Sequence, residues 1–488
     1  MTGEFNYYKI LGVDPQATTD AIRQAFAELR AGFPQEMRDA AVNPAYRRLL
    51  NAYEVLNNPE RRATYDSLLV ETALPALSID SLSSRDQIGL TESVQRIYLL
   101  VDVRAPEQEV KAVLPLNLCL VIDRSTSMQG TRLSCVKSAV ELIADRLTAE
   151  DIISVVTFSD RAEVVLPAAH LDSKAHLAGQ VRRIEASGGT EIYQGLSAAV
   201  KEMRKLPLKE YTNHLILLTD GHTYGDVDEC LQLAQQVSRQ GIGFSAFGIG
   251  SEWNDEFLDR LVASSGGQSG FIESPTQIVD FLQQRITGLG AIYAQNLRLL
   301  PDFPKSIRVQ YGFKIVPFAQ PLDLDNSTIQ LGDLEGRSPL SFLLEVDIEQ
   351  QPVETRINIP LLFTADIPSQ GMQERTFRHH HRIYVLADAA KVEPPPSLVK
   401  AVRMLNMYRM NEKVWEEVEA GRLDVAATRM RRLTTRLLEA GETQLAHEAE
   451  SEMGRLAQAG TMSLEGRKRL KYGTRALVNQ TITLDHDD

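Results

Sequence analysis

Cysteine is scarce: three in 488 residues, Cys119, Cys135 and Cys230, an odd set without metal-ligand spacing. That argues against a disulfide framework or a thiolate metal centre, and for small buried hydrophobes in a reducing compartment. Long apolar runs are missing too, so no segment reads as a bilayer span. The opening Met-Thr-Gly-Glu-Phe lacks the basic-then-apolar pattern of an export signal, and a cytoplasmic location without membrane attachment is expected. Positive charge is in deficit, 52 Lys and Arg against 65 Asp and Glu, a net of −13. This argues against nucleic acid or an anionic membrane as the main partner. Aromatics are few at 6%, and Trp253 and Trp415 stand isolated, as packing residues do. No serine elbow, P-loop or dinucleotide fingerprint occurs, so no enzyme activity is expected.

What is present fits globular material: 43% hydrophobic and 24% charged residues, over a length that requires several domains. The most informative stretch is Leu116 to Met128, LNLCLVIDRSTSM. Leu118 to Ile122 is continuously apolar, the pattern of a central strand buried on both faces. Asp123, Ser125 and Ser127 follow, spaced by two, where open α/β sheets bind ligands. Hard oxygen donors of low net charge suit Mg²⁺. Two further segments stand out. One is Ser187-Gly188-Gly189-Thr190-Glu191. The other is a second apolar strand, Leu215 to Thr219, ending in Asp220 and Gly221.

In this order the three segments resemble the von Willebrand factor A (vWA) domain and its metal-ion-dependent adhesion site, over about residues 116–287. The resemblance implies metal-site residues Asp123, Ser125, Ser127, Thr190 and Asp220. Ser125 and Ser127 would be direct ligands, Thr190 direct or through water, and the two aspartates would act through water. The implied ion is Mg²⁺, with Mn²⁺ or Ca²⁺ as alternatives. Arg124 and Thr126 depart from the small residues common at their positions; neither removes a ligand. Strands at 152–158 and 242–250 alternate with helices near 133–143, 171–185, 192–205, 226–239, 254–264 and 276–287, which predicts a parallel sheet covered on both faces.

Upstream, YYKILGV and AYRRLLNAYEVLNNPERRATYD resemble the J domain of co-chaperones. The His-Pro-Asp tripeptide of that family is replaced by Phe33-Pro34-Gln35, so stimulation of a DnaK-type ATPase is expected to be absent. Downstream, short β segments between 296 and 386 predict a β-sandwich. A strand at 95–103, with no place in the doubly wound sheet, is assigned to the same sandwich, and a further short strand is expected at 109–113. Pro394-Pro395-Pro396 precedes four helical patterns, with Val425, Thr428, Leu433, Leu437 and Leu438 as one apolar stripe. His379-His380-His381 reads as polar sandwich surface, because neighbours in a strand point to opposite faces.

The predicted architecture is a multidomain α/β chain: a doubly wound, Rossmann-like vWA sheet inserted into a β-sandwich, with helical domains at both ends. Its parts are a J-like domain (1–70), a linker (71–92), the first part of the sandwich (93–115), the vWA domain (116–287), the rest of the sandwich (288–391), a helical bundle (392–478) and an acidic tail (479–488). The expected function is a Mg-dependent protein-interaction scaffold or adaptor in a bacterial signalling or assembly system. A partner protein would supply an Asp or Glu to the metal. The vWA resemblance further implies an AAA+ ATPase, a kinase or a phosphatase as working partner. The competing reading is a co-chaperone of a DnaK-type ATPase.

Overall fold

The computed structural model describes residues 7–13, 17–34, 43–59, 61–62, 76–91, 93–106, 114–171, 173–222, 225–274, 277–351, 353–390 and 392–483. The chain divides into two compact units, residues 1–76 and 77–488. In the first unit lie α1 (Tyr7–Leu11), α2 (Thr19–Ala31) and α3 (Pro44–Leu56). Thr18 is extended, and its hydroxyl accepts the Ala21 N–H at 3.3 Å, satisfying a donor that the first turn of α2 leaves open. Ile22 and Phe26, one turn apart, bury against Tyr8, Leu49 and Ala52. Phe26 stacks on Tyr53 with ring centroids 3.9 Å apart. Phe33 packs edge-on against Tyr46 at 5.4 Å, and Pro34 beside it is exposed. Gln35 and Glu36 lie outside the described residues.

The second unit begins with strands where a linker was expected. These are β1 (Ser78–Ser83) and β2 (Gln87–Gly89), followed by β3 (Gln95–Arg104). β1 reads as loop because its sequence, SIDSLS, is mostly polar. It is an edge strand, stabilised by its pairing with β3 from Ser78–Arg104 to Ser83–Leu99. The strand expected at 109–113 falls outside the described residues.

Next comes the α/β layer: β4 (Leu116–Asp123), α4 (Thr131–Ala144), β5 (Ile152–Phe158), β6 (Ala162–His170), α5 (Lys174–Arg182), α6 (Ile192–Met203), β7 (Thr212–Thr219), α7 (Val227–Ser238), β8 (Ile242–Ile249), α8 (Asp255–Ala263), β9 (Gln268–Ile272) and α9 (Ile278–Leu289). The strand order is β6-β5-β4-β7-β8-β9. All neighbours are parallel except β6, which runs antiparallel to β5 and corrects the expectation of a wholly parallel sheet. β6 carries Pro167 and alternates half-buried with exposed residues, as an edge strand can. β4, β5 and β7 are buried at every position. Leu118, Leu120 and Ile122 join α4, α5 and α9 in one core, while Cys119 and Val121 join α6, α7 and α8 in the other. This is a Rossmann-like vWA fold.

Seven strands follow: β10 (Ile292–Leu300), β11 (Ile307–Val316), β12 (Gln320–Pro321), β13 (Ile329–Glu335), β14 (Leu340–Ile348), β15 (Thr355–Ile367) and β16 (Met372–Leu386). With the first three they make two additional five-stranded sheets, β1-β3-β14-β11-β12 and β13-β10-β15-β16-β2. β3 pairs with β14 along its whole length, from Gln95–Ile348 to Val103–Leu340. Phe342 of one sheet meets Phe363 of the other edge to face at 6.2 Å.

The C-terminal helical region comprises α10 (Pro396–Glu419), α11 (Leu423–Glu439), α12 (Thr443–Ala459) and α13 (Leu464–Thr483). Its core includes Ala426, Met430, Leu433, Leu437, Leu456 and Leu470. Leu433 and Leu437 of the stripe expected in α11 are buried, whereas Val425 is 42% and Leu438 51% exposed. α13 also continues to Thr483, past the boundary expected at 478, and residues 484–488 lie outside the described set. It runs on because its inner face is anchored. Lys471 pairs with Asp259 at 3.0 Å, Arg475 reaches the same carboxylate, and the Lys468 ammonium donates to the Trp253 carbonyl at 2.6 Å. Asn479, near its end, donates to the Pro317 carbonyl at 3.2 Å.

The two cations hold the Asp259 carboxyl well below the usual carboxylate range, against the opposing effect of burial. Asp259→Asn should therefore cost about 3 kcal/mol, because Lys471 and Arg475 are left buried beside a neutral group. Urea unfolding of Asp259→Asn, Arg475→Met and the double variant checks this. The double variant should lose clearly less than the sum of the singles.

Candidate metal site and relation to known proteins

The site is built where β4 and β7 end side by side. Asp123 is fully buried. One of its oxygens accepts the Ser125 N–H at 2.8 Å, and the other accepts the Thr219 hydroxyl at 2.6 Å. The two bonds hold the carboxylate between the loop after its own strand and the end of β7. After Asp123 the chain turns through a short 3₁₀ segment, Thr126–Met128, pinned by the buried side chain of Met128. The turn brings Ser125 and Ser127 together, with hydroxyl oxygens 3.0 Å apart. Ser127 donates to Asp220 at 2.7 Å. A hydroxyl has one proton, so across the serine pair Ser125 donates and Ser127 accepts. Asp220 is fully buried, and its outer oxygen pairs with Arg132 from the first turn of α4.

Thr190 comes in on a second loop. Thr126 fastens the two loops with its N–H and its hydroxyl, both donating to the Gly188 carbonyl at 3.1 Å. The Ser187 N–H donates to the Arg124 carbonyl at 2.7 Å, and the Gly189 N–H to Asp160 at 2.9 Å. Gly188 has φ +80°, and a β-carbon there would strike the Asp160 carboxylate, so both backbone and space require glycine. Thr190 is 6% exposed, and its hydroxyl lies 3.2 Å from where a β-carbon of Gly221 would sit. The five residues read from the sequence thus lie together at the rim of the sheet. Arg124 donates to the Ser187 hydroxyl at 2.7 Å.

Sequence reasoning missed Thr219, Asp160 and Arg132, and noted Thr126 only as a departure from the motif, not as a fastener of the two loops. Only Thr219 carried a local signal, as a polar residue closing the apolar run Leu215–Leu218. The others act across loops that are distant in sequence.

The donor set is all oxygen, two hydroxyls in contact with each other and with one carboxylate, and it fits a hard divalent cation. Among the described residues no three His, Cys, Asp or Glu side chains converge on a metal position. Burial pushes the Asp123 carboxyl up to about 6, opposed by its bonds from Thr219 and Ser125 and reinforced by Asp220.

The histidine run is more buried than expected. His379 and His381 point inward from β16 and meet the Ser81 hydroxyl of β1 at 2.7 and 2.9 Å, and His381 is only 8% exposed. The strand alternation that separates His380 from them was correctly anticipated. Their burial was not, because β1 was read as linker.

Residues 117–284 match the von Willebrand factor type A domain family and residues 6–66 the DnaJ domain family. Residues 396–480 match the Sll0103-like, C-terminal alpha-helical domain. A vWA domain, which is a protein-interaction module, and a DnaJ domain are thus present in one chain. Among curated relatives, the uncharacterized protein sll0103 of Synechocystis sp. is 31% identical over 270 residues, 54% of this chain and 64% of that protein. The uncharacterized protein YfbK of Escherichia coli is 24% identical over 265 residues, 53% of this chain and 46% of that protein. The matched stretch is therefore less than two thirds of either relative's length. Among solved structures, a von Willebrand factor type A protein from Catenulispora acidiphila shares the fold, with TM-score 0.63 and 18% identity over 82% of this chain and 96% of that one. No helix among the described residues is long and apolar enough to cross a membrane.

The raised Asp123 pKa has a defined sign. Its folded value of about 6 lies above the unfolded 3.8. Its protonated form therefore favours the fold, and that contribution is present below the unfolded value and lost as pH rises through about 6. In EDTA, the stability of wild type relative to Asp123→Asn should rise by about 2.5 kcal/mol from pH 7 to pH 4. Paired urea titrations at the two pH values read it.

Proposed function

We propose that this chain is a non-enzymatic, Mg-dependent adaptor of the bacterial cytoplasm that grips an acidic residue of a partner protein through its vWA site. The observation that carries this reading is the hydrogen-bonded series Ser125–Ser127–Asp220, with Asp123 turned back onto Thr219 and Ser125. Ser125, Ser127 and Thr190 would hold the ion, with Mn²⁺ or Ca²⁺ as alternatives to Mg²⁺, and the two aspartates would fix its water shell. A cation held mainly by neutral hydroxyls keeps charge to offer, and a partner's Asp or Glu supplies the missing negative ligand. The protein's own part is to preset the hydroxyls and keep Asp123 and Asp220 in place.

The vWA sheet sits, on this reading, as an insertion in a β-sandwich made of the two five-stranded sheets. The chain enters it from β3 and leaves it into β10, so a change at the rim reaches one neighbour through both termini. The C-terminal helices supply a further docking surface. An AAA+ ATPase, a kinase or a phosphatase is the class of partner envisaged.

The DnaJ domain supports a second reading, co-chaperone activity, which we hold less favoured because Phe33 and Gln35 replace the tripeptide's His and Asp. Phe33 packs on Tyr46 instead of presenting an imidazole. The chain should leave the ATPase of a DnaK-type chaperone at its basal rate. Phe33→His with Gln35→Asp is the variant most able to restore stimulation. Clear stimulation by the unaltered chain would establish the second reading.

For the adaptor reading, isothermal titration should show one Mg²⁺ or Mn²⁺ bound by wild type and a loss of at least tenfold in affinity for Asp123→Ala. Partners captured from the native host should disappear both with EDTA and with Asp123→Ala. Capture unchanged by either treatment would move the interaction to another part of the chain.

A further inference from the structure

Arg132 is out of place by the usual rules. It lies in the first turn of α4, where the helix dipole disfavours a cation. It nevertheless turns inward and pairs with Asp220, which is wholly buried, while keeping a third of its own side chain exposed. The same nitrogen donates to the Ser127 carbonyl at 3.3 Å. Its other terminal nitrogen lies 3.0 Å from where a β-carbon of Gly250 would stand, and Gly250 has φ +74°. Three surroundings therefore fix one guanidinium: a buried carboxylate, a carbonyl of the metal loop, and a backbone position that admits no side chain.

A buried carboxylate without a counter-charge is costly, and the guanidinium cannot give up its proton. Arg132 thus supplies Asp220 with a permanent positive partner on its outer oxygen, while Ser127 holds the inner one. A divalent ion beside Ser125 and Ser127 places a second positive charge near the same carboxylate. The two cations repel, and each lowers the affinity of Asp220 for the other by the same factor.

We infer that Arg132 is a built-in competitor cation that neutralises Asp220 when no metal is bound and sets how weakly the vWA site takes a divalent ion. The inference rests on the metal-site reading above. It makes two linked demands. The metal-free chain relies on Arg132 for stability, and metal binding improves when Arg132 is neutralised. A residue that merely positioned Asp220 for the ion would behave in the opposite way, since its loss would weaken metal binding.

The test uses the full chain with Arg132→Gln, which keeps a donor for the Ser127 carbonyl, and Arg132→Lys, which keeps the charge. Mn²⁺ binding is measured by titration with electron paramagnetic resonance, and thermal unfolding is measured in EDTA and in saturating Mn²⁺. Arg132→Gln should bind Mn²⁺ at least tenfold more tightly than wild type, melt lower in EDTA, and gain more from Mn²⁺ than wild type does. Arg132→Lys should stay within threefold of wild-type affinity. If Arg132→Gln is unfolded in EDTA, its refolding on addition of Mn²⁺ supports the inference, and failure to refold overturns it. Equal or weaker Mn²⁺ binding by Arg132→Gln overturns it while leaving the metal site standing. Absence of Mn²⁺ binding in wild type and both variants removes the metal site, and the inference with it.

Discussion

Two carboxylates, Asp123 and Asp220, end neighbouring parallel strands with no exposed surface, and their burial is the constraint around which the vWA rim is arranged. Each oxygen has a hydrogen-bond or ion-pair partner: Ser125 N–H and Thr219 for Asp123, Ser127 and Arg132 for Asp220. Because the partners come from the loop after β4, from β7 and from α4, meeting that need fixes those three segments relative to one another and to β4. The hydroxyl cluster follows from the same requirement. Ser125 and Ser127 stand where they do because one aspartate takes a backbone N–H from the first and the other takes the proton of the second.

The same logic of compensated burial recurs where the vWA sheet meets the rest of its unit. Lys314 of β11 is 1% exposed and donates to the Leu331 carbonyl at 3.1 Å and to the Gly266 carbonyl. Burial and the neighbouring Arg285 push its pKa well down, while Asp333 and Glu335 oppose that and are themselves pushed up by burial. At this junction Gly266, beyond α8, lies so close to Gly332 of β13 that a β-carbon on either would strike the other's backbone. Backbone against backbone leaves little room to slide.

The central strands were legible because burial on both faces writes itself as an unbroken apolar run. β4 and β7 carry that mark unbroken over Leu118–Ile122 and Leu215–Leu218, and β5 and β8 carry it with Ser154 and Ser245 inside the run. The edges were not: β6 is half exposed, β9 contains glycine, and β1 and β2 look like loop. Their stability comes from pairing with strands distant in sequence, which local composition cannot reveal. At the site, a two-residue spacing after a buried strand marked Asp123, Ser125 and Ser127. Arg132 gave no such mark, since an arginine in a first helical turn looks like solvated surface until Asp220 is placed beside it. In α11 Leu433 and Leu437 are buried as expected, whereas Val425 and Leu438 are apolar yet outward, and Ala426 and Met430 take the inner positions instead.

The anchoring of α13 sets an order of events during synthesis. Asp255 and Asp259 receive their counter-charges from Lys471 and Arg475, a separation of 216 residues for the Lys471–Asp255 and Arg475–Asp259 pairs. At about 5–20 residues per second, those carboxylates wait roughly 10–40 s after leaving the ribosome before their partners exist. β3 waits still longer for β14, since Arg96 and Asp347 are 251 residues apart. The vWA sheet can close on its own consecutive strands well before either event. A nascent chain therefore carries a finished α/β layer beside a strand paired on one edge only, by β1, and an uncompensated acidic helix, until α13 seals the unit.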